Sequence, residues 1–506
     1  MSTVATTSTE KPRHPKELFI LFASEMWERF GFYTAAALMT LYLQYGGFGW
    51  KKEDATTLWS YYLMFVYATP LIGGWLADKF VGYRRSVIIG GVVFVLGYGM
   101  LAVGQITTFW LALALIFIGN GFFKPNISTM VGNLYPAGSP LKDSAYNIFY
   151  MGINVGAFTA PIVAEAIRQR IVPDKIYRAV QDGVAVSPAE LEQVRNSFLM
   201  GFVSAAIGMA LGTLLLVFFY KTLAKADRRK QALDPKQLAV SEDIPPQADL
   251  PAIEKVPNRT RVAALMVIFA LVIVFWMVFH QNGTTMTYWA DKNTDWKNAP
   301  EMKYVITALS LGTVDASQAS GVISNAINPF WIVVLSMPLV AFWNFLGRRG
   351  LEPSTPTKMA IGMVLTAAAF LILYIAAMNG GNQTFQLDSA TGQRMLDAKK
   401  VPIVKEGLVS PWWLIMAYCV LSLGELCLSP MGLSLVSKVA PVHMRGLMMG
   451  GWFVATAIGN KLTMIGVLWD YWLHSDFWLL CSSLAAVMAI IFLLLLKPLK
   501  RAMPGV

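Results

Sequence analysis

The chain has 506 residues, of which 56% are hydrophobic and 14% charged, and a formal net charge of +11. That is too apolar for an ordinary water-soluble globule. The positive balance does not point to nucleic acid, because the basic residues cluster in loops between apolar runs, as the positive-inside rule requires of a membrane protein.

The first seventeen residues, MSTVATTSTEKPRHPKE, are polar and basic and lack the apolar core and small-residue cleavage site of a signal peptide. They read as a cytoplasmic tail, 1–17. Twelve apolar stretches follow, near 18–45, 56–80, 85–104, 107–133, 143–168, 196–220, 262–290, 321–346, 357–379, 411–437, 445–468 and 476–496, each long enough to cross a bilayer. The central polar segment 221–261 carries Lys221, Lys225, Arg228, Arg229, Lys230 and Lys236, then Pro245-Pro246 and Pro257. With no apolar run, it reads as a cytoplasmic linker between six-span halves, 18–220 and 262–496, and 497–506 as a second cytoplasmic tail. Lys79, Arg84 and Arg85, Arg348, Arg349 and Lys358, and Lys497, Lys500 and Arg501 all fall on the N-terminal side, which places both termini in the cytoplasm. The opposite loops mix acids with bases. Turn signals at Gly380-Gly381-Asn382 and Ala390-Thr391-Gly392 suggest a small extracytoplasmic hairpin. Cys419, Cys427 and Cys481 are odd in number and lie in apolar runs, so no disulfide framework or metal site follows from them.

The first span contains Glu25-Met26-Trp27-Glu28-Arg29-Phe30. Each ionisable group at such depth costs roughly 2.5–3.5 kcal/mol even on a lenient scale, so the three persist only if they face protein or a wet cavity. Their i, i+3, i+4 spacing gathers them on one side of a helix. Glu28 lies ~15 Å into the span, close to mid-membrane, where transporters hold their cargo. Gly73-Gly74-Trp75-Leu76-Ala77-Asp78-Lys79-Phe80-Val81-Gly82-Tyr83-Arg84-Arg85 resembles the major facilitator signature between spans two and three. In it, glycines allow close helix approach, and Asp78 with the basic residues is expected to form a charge relay. The bland alternative is a tight turn with a basic flank.

Glu25-x-x-Glu28-Arg29-Phe30-x-Phe32-Tyr33, Phe123-Lys124-Pro125-Asn126, Phe149-Tyr150-Met151-Gly152-Ile153-Asn154-Val155-Gly156 and Glu425-Leu426-Cys427-Leu428-Ser429-Pro430-Met431-Gly432-Leu433-Ser434 resemble motifs of the proton-dependent oligopeptide transporter family, in the expected order and spans. The resemblance covers roughly 15–500. It implies an all-α membrane protein of the major facilitator fold, with twelve transmembrane helices in two six-helix bundles. It also implies a proton-coupled symporter importing di- and tripeptides by alternating access, in the plasma (inner) membrane. The gradient supplies the energy, so no cofactor or metal is expected; the partners are peptides, protons and membrane lipids, and a monomer is expected to suffice.

A peptide zwitterion needs a cation at one end of its site, an acid at the other, amides between, and apolar or aromatic walls that select little. Arg29 and Lys124 supply cations, Glu425 an acid in the opposite half, and Asn154 and Asn328 amides, with Ser429 beside Glu425 in its motif. Tyr33, Tyr67, Tyr150, Trp276 and Trp452 can wall the cavity, although aromatics also pack between helices. The resemblance assigns Arg29 and Lys124 to the peptide carboxylate, and Glu425, Asn154 and Asn328 to its amino end. For coupling, Glu25 and Glu28 near Arg29 and Lys124 form a group whose protonation releases a Glu–Lys124 pair. His280 departs from the family, many of whose members carry an acid around this position. It could titrate, but reads rather as a satisfied, non-titrating polar residue. Structural ion pairing of Glu28 with Arg29, a snorkelling Lys124 and a structural Glu425 are the bland alternatives. The rival functions are a major facilitator transporter for another solute such as nitrate or drugs, an intramembrane enzyme, and a membrane scaffold. No nucleophile elbow, phosphate-binding loop or metal cluster favours catalysis.

Overall fold

Hydrocarbon offers no hydrogen-bond partners, so a spanning segment must satisfy its backbone internally and folds as a helix. The computed structural model describes residues 14–135, 141–227, 252–389, 391–397, 400–441 and 445–504. Twelve long helices carry the membrane core: α1 (Lys16–Tyr45), α2 (Lys52–Leu76), α3 (Tyr83–Leu101), α4 (Ile106–Asn133), α5 (Leu141–Ile171), α7 (Pro188–Phe218), α8 (Asn258–Phe279), α11 (Ile327–Arg348), α12 (Thr355–Ala376), α13 (Pro411–Val439), α14 (Arg445–Leu462) and α15 (His474–Ala502). Among the described residues, three short α-helices lie in the loops: α6 (Asp174–Gln181), α9 (Thr285–Lys292) and α10 (Pro300–Leu309). Ten helical segments are long and apolar enough to cross a membrane among the described residues. The other two spanning helices are α1, whose buried charges lower its hydropathy, and α2, which mixes tyrosines, threonines, Gly and Pro into its apolar run.

Helix starts follow local chemistry. At α7, Ser187 accepts from the Glu190 backbone while the Glu190 side chain accepts from the Ser187 backbone, a reciprocal capping box followed by Pro188. That cap starts α7 eight residues before the expected 196. The expected span 262–290 is not continuous. It breaks at a 3-10 turn, His280–Gly283, between α8 and α9. Buried Gln281 holds the break, donating to the carbonyls of Met277 (3.2 Å) and Thr463 (3.0 Å). The stretch expected at 380–411 forms an antiparallel hairpin, β1 (Thr384–Phe385) with β2 (Val404–Lys405), in register Thr384 to Lys405. Of the linker 221–261, the portion 228–251, with Arg228, Arg229, Lys230, Lys236 and Pro245-Pro246, lies outside the described residues.

In the N-terminal bundle α1 packs on α5 and α7, α3 on α4 and α7, and α2 on α4; in the C-terminal bundle α12 packs on α13 and α15, α11 on α13, and α8 on α14 and α15. The bundles meet where α2 faces α14 and α5 faces α11. With twelve spans, Lys16 of α1 and Ala502 of α15 lie on one side, and the α1–α2 turn and the β1–β2 hairpin on the other, the outer side.

Two glycines set crossings that matter. A Cβ on Gly73 would lie 1.9 Å from the Gly121 carbonyl, so α2 and α4 touch backbone to backbone within the 73–85 signature. A Cβ on Gly156 of α5 would meet the Met26 carbonyl at 2.3 Å and Arg29 Cβ at 3.0 Å. Gly156→Val is therefore expected to push α5 off α1 beside the ionic cluster. We expect a cost of at least ~3 kcal/mol, the upper end for overpacking, measured as loss of monodisperse protein in size-exclusion chromatography. The signature's charges depart from expectation. Asp78 accepts from the Tyr83 hydroxyl (2.6 Å), whereas Arg84 pairs with Asp227 (2.8 Å) and the Tyr220 carbonyl (2.9 Å) beyond α7. No salt bridge joins Asp78 to Lys79, Arg84 or Arg85 among the described residues. The turn at Gly82 brings Tyr83 closer to Asp78 than the arginines.

Candidate functional site

The three mid-span charges of α1 are packed inside the protein. Glu25 and Glu28 have no exposure and Arg29 has 7%. Arg29 grips Glu28 with both ends of its fork, Nε to Oε2 at 2.5 Å and Nη2 to Oε1 at 2.6 Å. Its Nε lies 3.7 Å from Glu25, and its guanidinium sits 4.7 Å over the Phe32 ring. Lys124 of α4 donates to Glu25 Oε1, and 28% of its side chain is exposed. Two acids and two cations make a neutral set, which is how ionic groups survive in a low-dielectric interior. Glu25 Oε2 has no hydrogen-bond partner, so the cluster keeps an open acceptor.

Across the interface, Asn328 of α11 donates to Glu425 Oε2 (3.0 Å) and Ser422 Oγ (2.9 Å) of α13. No cation pairs with Glu425 among the described residues. Its electrostatic neighbours are Tyr33, Tyr67 and Tyr150 of the opposite bundle, all half-buried. Tyr33 in turn senses Arg29 and Glu28. Tyr33 and Tyr67, which both sense Arg29 as well as Glu425, thus lie between a cationic wall and an acidic one, and Tyr150 borders the acidic one. Asn154 is 7% exposed and donates to the Tyr150 carbonyl (2.9 Å) within α5, leaving its amide oxygen available. Ser429 is half-buried one turn beyond Glu425. The tryptophans differ from the tyrosines. Trp276 is buried, and Trp452 is wedged between Phe269 (ring centroids 6.1 Å) and Gly432, where a Cβ would lie 1.8 Å from the indole.

His280 is not the satisfied residue expected from sequence. Its Nε2 has no hydrogen-bond partner, and the ring stacks on Trp276 at 5.2 Å and 18° while facing Tyr67 at 6.3 Å. It occupies the break after α8, against the rings of Trp276, Phe279 and Tyr67.

A second buried polar set was missed in the sequence reading. Glu165 of α5, without exposure, accepts from Arg168 Nη2 (2.7 Å), the Ser320 hydroxyl (2.6 Å) and the Ser320 backbone (3.1 Å). Arg168 also donates to the Gln318 carbonyl and lies 4.5 Å over the Tyr177 ring. Gln181 donates to Asp291, Asp291 accepts from Gly321 (2.8 Å), and Arg178 donates to the carbonyls of Asp291 (3.0 Å) and Ala319 (2.7 Å). Closer to the interface centre, Lys52 pairs with Asp470 at 2.9 Å and Thr56 with Tyr288 at 3.2 Å. The bonds Glu165–Ser320, Arg168–Gln318, Gln181–Asp291, Arg178–Asp291, Arg178–Ala319, Lys52–Asp470 and Thr56–Tyr288 cross between bundles and gather on the outer side, so the structure is closed there. The signal was present: Glu165-x-x-Arg168 puts an i, i+3 ion pair inside an apolar span, as Glu25 and Arg29 do at i, i+4 in α1.

Opposed ionic walls at the seam of two helical bundles, closed on one face by bonds that a rocking motion can break, define a membrane transporter. A model of the POT family matches residues 84–235 and 221–467. The chain is 29% identical to the uncharacterized transporter YclF of Bacillus subtilis, over 97% of this chain and 96% of that one. It is 28% identical to a di-/tripeptide transporter of Lactococcus lactis, over 97% of each. Against the dipeptide and tripeptide permease A of Citrobacter koseri it is 28% identical, over 89% of this chain and 83% of the permease. Among solved structures it is similar to a mutant peptide transporter POT in complex with alafosfalin, at 28% identity and a TM-score of 0.73 over 97% and 96% of the two chains. The chain belongs to the POT family and is an integral membrane transporter, not an enzyme.

Proposed function

We propose that this protein is a proton-coupled symporter that imports di- and tripeptides by alternating access. The observation that carries the reading is the neutral, buried set Glu25, Glu28, Arg29 and Lys124, separated by Tyr33, Tyr67 and Tyr150 from Glu425 and Asn328 of the other bundle. The peptide carboxylate competes with Glu25 for Lys124, with Arg29 as the second cation. Glu425, held by Asn328, receives the ammonium end together with Asn154; Ser429 offers a hydrogen bond to the backbone, and Trp276, Trp452 and the tyrosines shape the cavity. Protonation of Glu25 removes its hold on Lys124, so a proton and a peptide favour the same state and travel together. The names of the relatives, permeases and transporters of di- and tripeptides, support the cargo. In this reading the protein works as a monomer in the plasma membrane, with both termini cytoplasmic and no cofactor.

The test is uptake of a labelled dipeptide into proteoliposomes under an imposed pH gradient. Accumulation is expected to collapse with a protonophore, to be competed by unlabelled di- and tripeptides but not by free amino acids, and to deliver intact peptide. Uptake indifferent to the proton gradient would refute symport; competition by nitrate or drugs in place of peptides would refute the cargo. Asn328→Ala removes a hydrogen bond to a charged acceptor, worth about 1.5–3 kcal/mol. The half-saturating peptide concentration is expected to rise ~10- to 100-fold, measured by concentration dependence of uptake.

A further inference from the structure

Between α2 and α14 an apolar groove of about 280 Å³ is lined by Met64 and Ala68 on one helix and Val454, Ala457 and Ile458 on the other, with Lys461 at its rim. Val454 and Ile458 expose 46% and 45% of their surface, and Phe65 beside them 43%, so the groove faces lipid. The Lys461 amine donates to Ser60 Oγ (3.3 Å) and Met464 Sδ (3.4 Å) and sits 3.5 Å over the Tyr61 ring. No carboxylate pairs with it among the described residues. Of the acids near this seam, Asp470 is engaged by Lys52, Glu53 by the Tyr471 hydroxyl (3.2 Å), and Asp54 is exposed to the outer side. The column from Lys52 to Val81 is ~45 Å long against a hydrocarbon core of ~30 Å, which puts Ser60 and Tyr61 roughly 5 Å inside the boundary on the outer side. A lysine at that depth reaches its charge to the headgroup level.

We propose that an anionic glycerophospholipid of the outer-side leaflet occupies this groove, its phosphate on Lys461 and one acyl chain along Met64, Ala68, Ala457 and Ile458. The unpaired cation supplies charge complementarity. The groove runs ~12 Å along α14 and covers most of the ~15 Å depth of one leaflet. Because α2 and α14 belong to different bundles, the lipid bridges the seam where they meet.

Native mass spectrometry of the purified full chain, titrated with phosphatidylglycerol or phosphatidylcholine of identical acyl chains, tests this. One phosphatidylglycerol is expected to be retained at concentrations at least tenfold below those needed for phosphatidylcholine. Lys461→Met is expected to erase that preference and Lys461→Arg to keep it, with both variants monodisperse and still transporting dipeptide. Equal retention of the two lipids, a preference unchanged in Lys461→Met, or a dimer that buries the groove would overturn the proposal.

Discussion

Replacing Lys124 by alanine is expected to abolish proton-driven peptide accumulation and to destabilise the N-terminal bundle. The substitution leaves Glu25 and Glu28 to share Arg29, a net negative charge at the middle of the bilayer. Orphaning one member of a buried ionic set costs about 3–5 kcal/mol, against which a solvated surface pair would be worth under about 1 kcal/mol. Uptake under a pH gradient should fall at least 100-fold, and the thermal unfolding midpoint should drop measurably. The double variant Glu25→Gln/Lys124→Met restores neutrality. We expect it to recover most of the lost stability but none of the accumulation, because no group remains to trade a proton against a cation. Counterflow, which needs no proton, should survive better than accumulation in the single variant Glu25→Gln. A Glu25→Gln protein that still concentrated peptide against its gradient would remove this cluster from the coupling mechanism.

The second large effect is expected at the outer clasp. Glu165→Ala leaves Arg168 with no carboxylate in a site that is 2% exposed. In the outer-closed state only the Gln318 carbonyl, the Tyr177 ring and the more distant Asp174 then offset that charge among the described residues, whereas parting of the bundles on the outer side would admit water to it. A penalty of about 3 kcal/mol on one state shifts a two-state equilibrium ~150-fold. The protein should therefore move toward an outward-open arrangement and import more slowly, since each cycle must re-form the closed state. A thiol placed at Thr40, which lies against the Gly283 carbonyl across the interface, reports the change. Its labelling rate from the outer side should rise by roughly two orders of magnitude in Glu165→Ala. Cys481, fully buried within the C-terminal bundle, should stay unreactive; reaction there would mean unfolding and not gating.

Much of this architecture was legible in the chain before folding. Bilayer thickness converts an apolar run of about twenty residues into a helix almost without exception, so the twelve spans emerged with modest errors at their ends. The α7 error came from a capping box whose polar residues lie outside the apolar run, and the break at His280–Gly283 from buried polar contacts that Gln281 makes with α14's continuation. The charges of α1 were conspicuous for the same reason: lipid makes an ionisable group expensive, so composition alone marks it as functional or paired.

What sequence could not determine is which partner each charged or aromatic side chain meets. Lys124 lies far along the chain from Glu25, and only the packing of α4 beside α1 joins them. Asp78 and Arg84 are neighbours in sequence, yet fold to different partners, because helix ends point side chains by geometry and not by proximity along the chain. His280 looked like a residue whose polar needs would be met, and the fold sets it against rings instead. The outer clasp was written into α5 as an acid and a base three residues apart, but its meaning depends on the Ser320 segment, contributed by the other bundle. Apolar length is a property each segment carries into the membrane on its own. Ionic pairing, gate closure and the seam at Lys461 arise only when separate segments are brought together.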